Sequence, residues 1–136
     1  MASGYSGTPL AKKLSLKDGM RAWLDGMPES VAGEIAAEGL QLQRLDKPEA
    51  PIDAAHIFVT NRADLEAKLK LLMPLLEPSG CIWVSWPKKA SKMPTDITEN
   101  VIRDVALPMH LVDVKVCSVD DIWSGLKLVI RKEHRS

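Results

Sequence analysis

The run Gly80–Trp86, "GCIWVSW", decides how this chain folds. Its apolar residues do not alternate with polar ones, so neither face is written for water. Such a strand belongs at the centre of a sheet, with helices covering both sides. Directly after it the pattern breaks into "SWPKKASKMPTD", Ser85–Asp96, with three lysines and two prolines. That stretch reads as a loop.

Working upstream, "NRADLEAKLKLLMPLLEPSG" carries Leu65, Leu69, Leu72, Met73 and Leu76 on one helical stripe. Asn61 is its expected cap, and Pro74 should end or kink it. "IDAAHIFVT", Ile52–Thr60, is a further apolar strand, and "LQLQRL" alternates through Leu40, Leu42 and Leu45 as a strand nearer an edge. "PESVAGEIAAEG" is a helix with Val31 and Ile35 on one face, stopped by Gly39. "MRAWL", Met20–Leu24, is a strand with Trp23 opposite Met20, Ala22 and Leu24. "PLAKKL" makes a short helix with Pro9 as its first residue and Thr8 as cap, and residues 1–7 are expected to be mobile.

Downstream, Thr95 or Asp96 should cap a helix whose apolar face is Val101, Ile102, Val105 and Ala106, with Asp96 and Glu99 approximating a capping box. Pro108 closes it. "HLVDVKVCSV" and "LKLVIRK" then form a hairpin around "DDIWSG". Alternating strands and helices give an α/β fold: one three-layer, Rossmann-like domain over 1–136, with a mostly parallel six-stranded sheet and an antiparallel last strand.

The 136 residues include 18 Lys plus Arg and 18 Asp plus Glu. The balanced charge argues against a general polyanion binder, so nucleic acid through "PKKASK" is a weak reading and any basic site must come from local clustering. Cys81 and Cys117 lie in apolar segments and read as small buried hydrophobes; no metal-ligand spacing is present, so no metal is expected. No apolar run spans a bilayer and no secretory signal opens the chain, so the expected setting is the cytoplasm, with no membrane partner.

"LAKKLSLKDGMRAWLDG", Leu10–Gly26, resembles the lead-in and first strand of Rossmann-like methyltransferases, and the strand-helix-strand-strand tail resembles the closing half of that fold. The resemblance implies the strand order 2-1-3-4-6-5. Over nearly its whole length the chain also resembles a family of small uncharacterised bacterial proteins, a domain of unknown function. "SGYSGTPLAKKL", "WVSWPKKASKMPTD" and "VDVKVCSVDDIWSGLKLVIR" carry that resemblance. It implies a fold and transfers no activity or cofactor. Methyltransferases place a glycine-rich turn after the first strand, where backbone approaches the methyl donor. Here "DGMPESV" offers only Gly26, beside Asp25, and Asp46 is the sole candidate for a ribose contact.

Ligands of open α/β sheets sit beyond the carboxyl ends of the strands. An anion loop of Ser85, Trp86, Lys88, Lys89, Ser91 and Lys92 is expected there, aided by the start of the next helix. Asn61, Arg62, Asp121, Trp123 and Ser124 would form its rim, with Trp86 and Trp123 stacking a planar ring. The structural alternative pairs Asp120 and Asp121 with the lysines on the surface. His56 reads as a hydrogen-bonded histidine within a strand, and no two of His56, His110 and His134 are expected together. Asp25 could serve as a general base.

The leading expectation is a non-catalytic binding or regulatory module for an anionic small molecule or nucleotide. The alternatives are a reduced S-adenosylmethionine-dependent methyltransferase-like enzyme and a protein-interaction domain with a protein partner.

Overall fold

The computed structural model describes residues 9–134; the expectations for residues 1–7 and for Thr8 as a cap lie outside them. Six strands, β1 (Arg21–Asp25), β2 (Gln43–Arg44), β3 (Ile52–Phe58), β4 (Leu76–Pro87), β5 (Leu111–Ser118) and β6 (Trp123–Ile130), form one sheet in the order β2-β1-β3-β4-β6-β5. β1 pairs in parallel with β2 and β3, and β3 with β4. β6 is antiparallel to both β4 and β5, so β5 runs with the parallel set. This is the architecture and order read from the sequence.

Helices α1 (Leu10–Lys13) and α2 (Glu29–Ala36) cover one face, and α3 (Arg62–Leu72) and α4 (Glu99–Ala106) the other. Leu10, Leu14, Val31 and Ile35 pack with Phe58 and Trp83 on the first face. Leu65, Leu69, Ile102 and Val105 pack with Ile57, Ile82, Val84 and Trp86 on the second. Strand alternation within "GCIWVSW" divides its side chains between two cores, which is why the run has no polar face. Trp83 is fully enclosed and donates its indole N–H to the carbonyl of Leu14 at 3.0 Å, tying the end of α1 to the middle of the sheet. No helix among the described residues is long and apolar enough to cross a membrane.

Asn61 caps α3, its Oδ1 accepting from the Asp64 N–H at 2.8 Å, and Pro74 falls in a single 3-10 turn just past the end of that helix. Two expectations are corrected. The strand over "LQLQRL" shrinks to Gln43–Arg44, because only those residues pair with β1; Leu40 and Leu42 pack on the α2-side core from irregular backbone. The cap of α4 is Thr98, whose hydroxyl accepts from the Val101 N–H at 3.2 Å. Thr95 and Asp96 are committed elsewhere: Thr95 donates to the Thr60 carbonyl, and Asp96 accepts from the Arg62 N–H at 2.8 Å. Glu99 completes no capping box and instead pairs with Arg103 at 2.8 Å.

Candidate functional site

Strand register gathers the expected segments on one edge. Asp25 lies level with Ile57, Phe58 with Ser85, and Pro87 with Trp123. The Lys88 N–H donates to the Ile122 carbonyl at 2.7 Å, fastening the lysine loop to the β5–β6 hairpin. Chain direction alone brings these tips together, as in other open α/β sheets.

At the β1 end, Asp25 closes the strand and Gly26 follows at φ +75°. That left-handed turn favours glycine, and a Cβ there would lie 3.5 Å from the Cβ of Phe58, in ordinary contact. The Phe58 ring in turn meets Trp123 edge-on, with centroids 5.1 Å apart. Asp25 is not an unpaired base: the Lys68 ammonium sits 2.7 Å from it and 3.3 Å from Asp64. Burial works against the Lys68 charge, but the hydrogen bonds and charges of Asp25 and Asp64 outweigh it and raise its pKa above the ordinary value. Asp46 stands exposed just past β2. The first turn of α2, behind Pro28, has no side-chain cap. A small apolar cavity of about 130 Å³ lies beneath α2 and reaches the tip through Leu24 and Arg44.

At the β4 end, all three loop lysines line one cleft but are bonded differently. Lys88 gives its ammonium to the Ser118 hydroxyl at 2.7 Å. Lys89 and Lys92 border this cleft, of about 730 Å³ between the loop and α4, with Trp86, Met93, Ile97 and Arg103. Neither ammonium meets a hydrogen-bond or ion-pair partner among the described residues. Ser91 is spent on the loop itself, donating to the Lys88 carbonyl at 2.7 Å and accepting from the Met93 N–H. Ser85 is fully buried and bonded to His56, so it cannot reach a ligand.

The expected rim is corrected as well. Asn61 is consumed as the α3 cap, and the Arg62 guanidinium pairs with Glu66 at 3.0 Å. Trp86 and Trp123 belong to opposite faces of the sheet and cannot sandwich one ring. Asp120 pairs with no lysine; its Oδ1 accepts from the N–H groups of Ile122 and Trp123 and shapes the hairpin turn. Asp121 is exposed at that turn, and Ser124 lies opposite Trp86 in the ladder.

The sequence reading missed the pairing of His56 with Ser85, 2.6 Å apart beneath the strand tips. His56 stacks on Phe58 at 4.5 Å, and burial drives its pKa down to about 3. The ring is therefore neutral at physiological pH and enclosed, a structural group and not a base. Two polar residues inside otherwise apolar strands were the available signal. His110 and His134 also stack, with centroids 3.8 Å apart, against the expectation that no two histidines meet. They do so because β5 begins where the chain returns after β6, at the edge opposite the strand tips.

In sequence, no family model and no curated protein matches the chain. In structure it is similar to a putative type 11 methyltransferase from Sulfolobus solfataricus, with a TM-score of 0.56 and 13% identity over 93% of this chain and 95% of that one. A methyltransferase from Pyrococcus furiosus matches with a TM-score of 0.57 and 12% identity, over 90% of this chain and 80% of that one. LepI in complex with SAM matches with a TM-score of 0.57 and 8% identity over 91% of this chain, which spans only 47% of LepI. The chain thus has a methyltransferase-like Rossmann fold.

These likenesses correct the expectation of a non-catalytic module. Several of the structures that share the fold are named as methyltransferases, and LepI, another, holds SAM. The lone glycine that motivated the expectation stands in the left-handed turn at the β1 tip, where close backbone approach is needed. The likenesses back the methyltransferase-like alternative better than the non-catalytic one.

Proposed function

We propose that the protein is a reduced S-adenosylmethionine-dependent methyltransferase-type enzyme, with the donor over the tips of β1 and β2 and the acceptor at the tip of β4. The observation that carries this reading is the β1 tip, where the Asp25 carboxylate is followed at once by left-handed Gly26 and then by α2. The residues there fit the donor by their chemistry. Its ammonium and sulfonium favour carboxylates, which Asp25 supplies. Its ribose hydroxyls suit Asp46, its own carboxylate suits the uncapped first turn of α2, and the apolar cavity beside Leu24 offers its base a wall. Lys68 holds Asp25 in position and would share it.

When bound, the donor supplies an activated methyl group. The work of this chain is positioning, the kind of contribution that placement alone can make large. Asp25 and Gly26 fix the donor, while the β4 loop fixes the acceptor. With His56 sealed and neutral and Asp25 tied to Lys68, an acceptor that is already anionic needs no proton removed. The free thiols Cys81 and Cys117 support a reducing bacterial cytoplasm as the setting.

Isothermal titration calorimetry with S-adenosylmethionine tests the reading. Heat of binding in wild type, lost in Gly26→Val, is expected. A silent titration at millimolar donor would overturn it.

A second reading, a protein-interaction domain, is favoured by the outer strand β5, where Val114 and Val116 are 55% and 53% exposed. Size-exclusion chromatography with light scattering reads it directly. A monomer at all concentrations ends the version in which two copies pair.

A further inference from the structure

We infer that the cleft between the lysine loop and α4 takes a small organic acid, one carboxylate or phosphate on a flat apolar body, gripped by Lys89 and Lys92. It deepens the methyltransferase reading, on which only the word "acceptor" depends; the binding itself needs no donor.

Three observations converge on this class of ligand. The cleft, at about 730 Å³, has the size of a small-molecule site. Its floor is apolar, made by the nearly enclosed Trp86 and Ile97 with Met93 and Pro94 beside them. Its charges are unequally committed. Arg103 is met by Asp113 at 3.0 Å, Glu99 at 2.8 Å and Asn100 at 3.2 Å, and Lys88 by Ser118. Ser118 offers a neutral hydroxyl, so Lys88, like Lys89 and Lys92, has no counter-charge among the described residues, and Lys89 and Lys92 lack a hydrogen-bond partner as well. Both Lys89 and Lys92 are exposed and solvated, so a neutral ligand gains nothing from them, an anion gains their attraction, and a cation is repelled.

The loop is also more rigid than a connection needs. Ser91 closes it internally, Thr95 bonds the Thr60 carbonyl, and Asp96 bonds the Arg62 N–H. Lys92 itself stands at φ +59°, an uncommon conformation for a side-chain-bearing residue, and it ends the 3-10 turn Lys89–Ser91. The two lysines are therefore carried on a fixed turn, and their order is set before any ligand arrives.

The test titrates the full chain with naphthoate and with its neutral isostere naphthamide, at fixed ionic strength and without donor, following tryptophan fluorescence and backbone amide shifts. Naphthoate should bind with shifts centred on Lys89, Lys92 and Ile97, and naphthamide at least about tenfold more weakly. The double variant Lys89→Ala, Lys92→Ala should lose about tenfold in affinity. A charge-matched control, Lys70→Ala with Lys132→Ala, should bind like wild type; both of those lysines are exposed and remote from the cleft lining. Equal binding of the amide, binding by the double variant within about twofold of wild type, or no naphthoate binding at millimolar concentration would each overturn the inference. Because no donor is present, failure here leaves the donor calorimetry standing, and failure there leaves this result standing.

Discussion

The β1–α2 turn and the β4–α4 loop leave the same edge of one sheet and are built in opposite ways. The turn is short and acidic, and its charge is already spoken for, since Lys68 holds Asp25 at 2.7 Å. The loop is long and basic, and its backbone is pinned while Lys89 and Lys92 go without partners among the described residues. A paired charge fixes a position; an unpaired charge on a fixed turn is prepared for a counter-charge that arrives from outside. On the proposed reading the two regions divide the work, with a cation-tolerant seat at β1 and an anion-seeking cleft at β4. Variants that act on one region, or on the buried His56–Ser85 pair between β3 and β4, can break that division.

The largest effect is expected from the buried pair His56–Ser85. His56 has a folded pKa of about 3 against an ordinary 6.5, so the unfolded chain takes up a proton first as pH falls. The stability held by the neutral ring is complete above pH 6.5 and drains between 6.5 and about 3, at up to ~1.4 kcal/mol per pH unit. Denaturant unfolding across that window should show the acid slope. Ser85→Ala strips His56 of its partner and should cost about 1–3 kcal/mol of stability.

Gly26→Val comes next. The space beside the glycine is ordinary, so the cost is backbone strain at φ +75°, about 1–3 kcal/mol. Chemical denaturation reads that loss, and calorimetry should show donor binding gone with naphthoate binding kept. Lys68→Met is smaller still: breaking the part-exposed pair with Asp25 should cost ~0–1 kcal/mol, while the released carboxylate binds the cationic donor a few-fold more tightly. Last, removing Lys89 and Lys92 should leave stability within about 0.5 kcal/mol of wild type, since neither side chain has a partner to lose among the described residues. A marked drop in melting temperature there would mean that the lysines brace the loop.

What the sequence made legible was local or periodic. The apolar run at Gly80–Trp86, the Asn61 cap and the closing hairpin all rest on neighbours a few residues apart, and each stands in the structure. The opposite faces of Trp83 and Trp86 were also within reach, because a spacing of three in a period-two strand demands them. The misreadings share a different origin. Asp96 looked like a helix cap but serves Arg62, 34 residues away. Ser85 looked like a ligand contact but serves His56, 29 residues away, and Lys88, on the cleft wall, also binds Ser118 across 30. Polar side chains at strand tips choose among partners that only the assembled sheet brings near, so their local pattern does not say which of them stay free for a ligand.

The division of labour turns on the β1 tip, and amide-resolved NMR titration with S-adenosylhomocysteine tests it most directly. Shifts confined to the neighbourhood of Asp25–Ser30 and Asp46, with Lys89–Arg103 unmoved, are the predicted result. Shifts centred on the lysine cleft instead, or none at millimolar ligand, would contradict it.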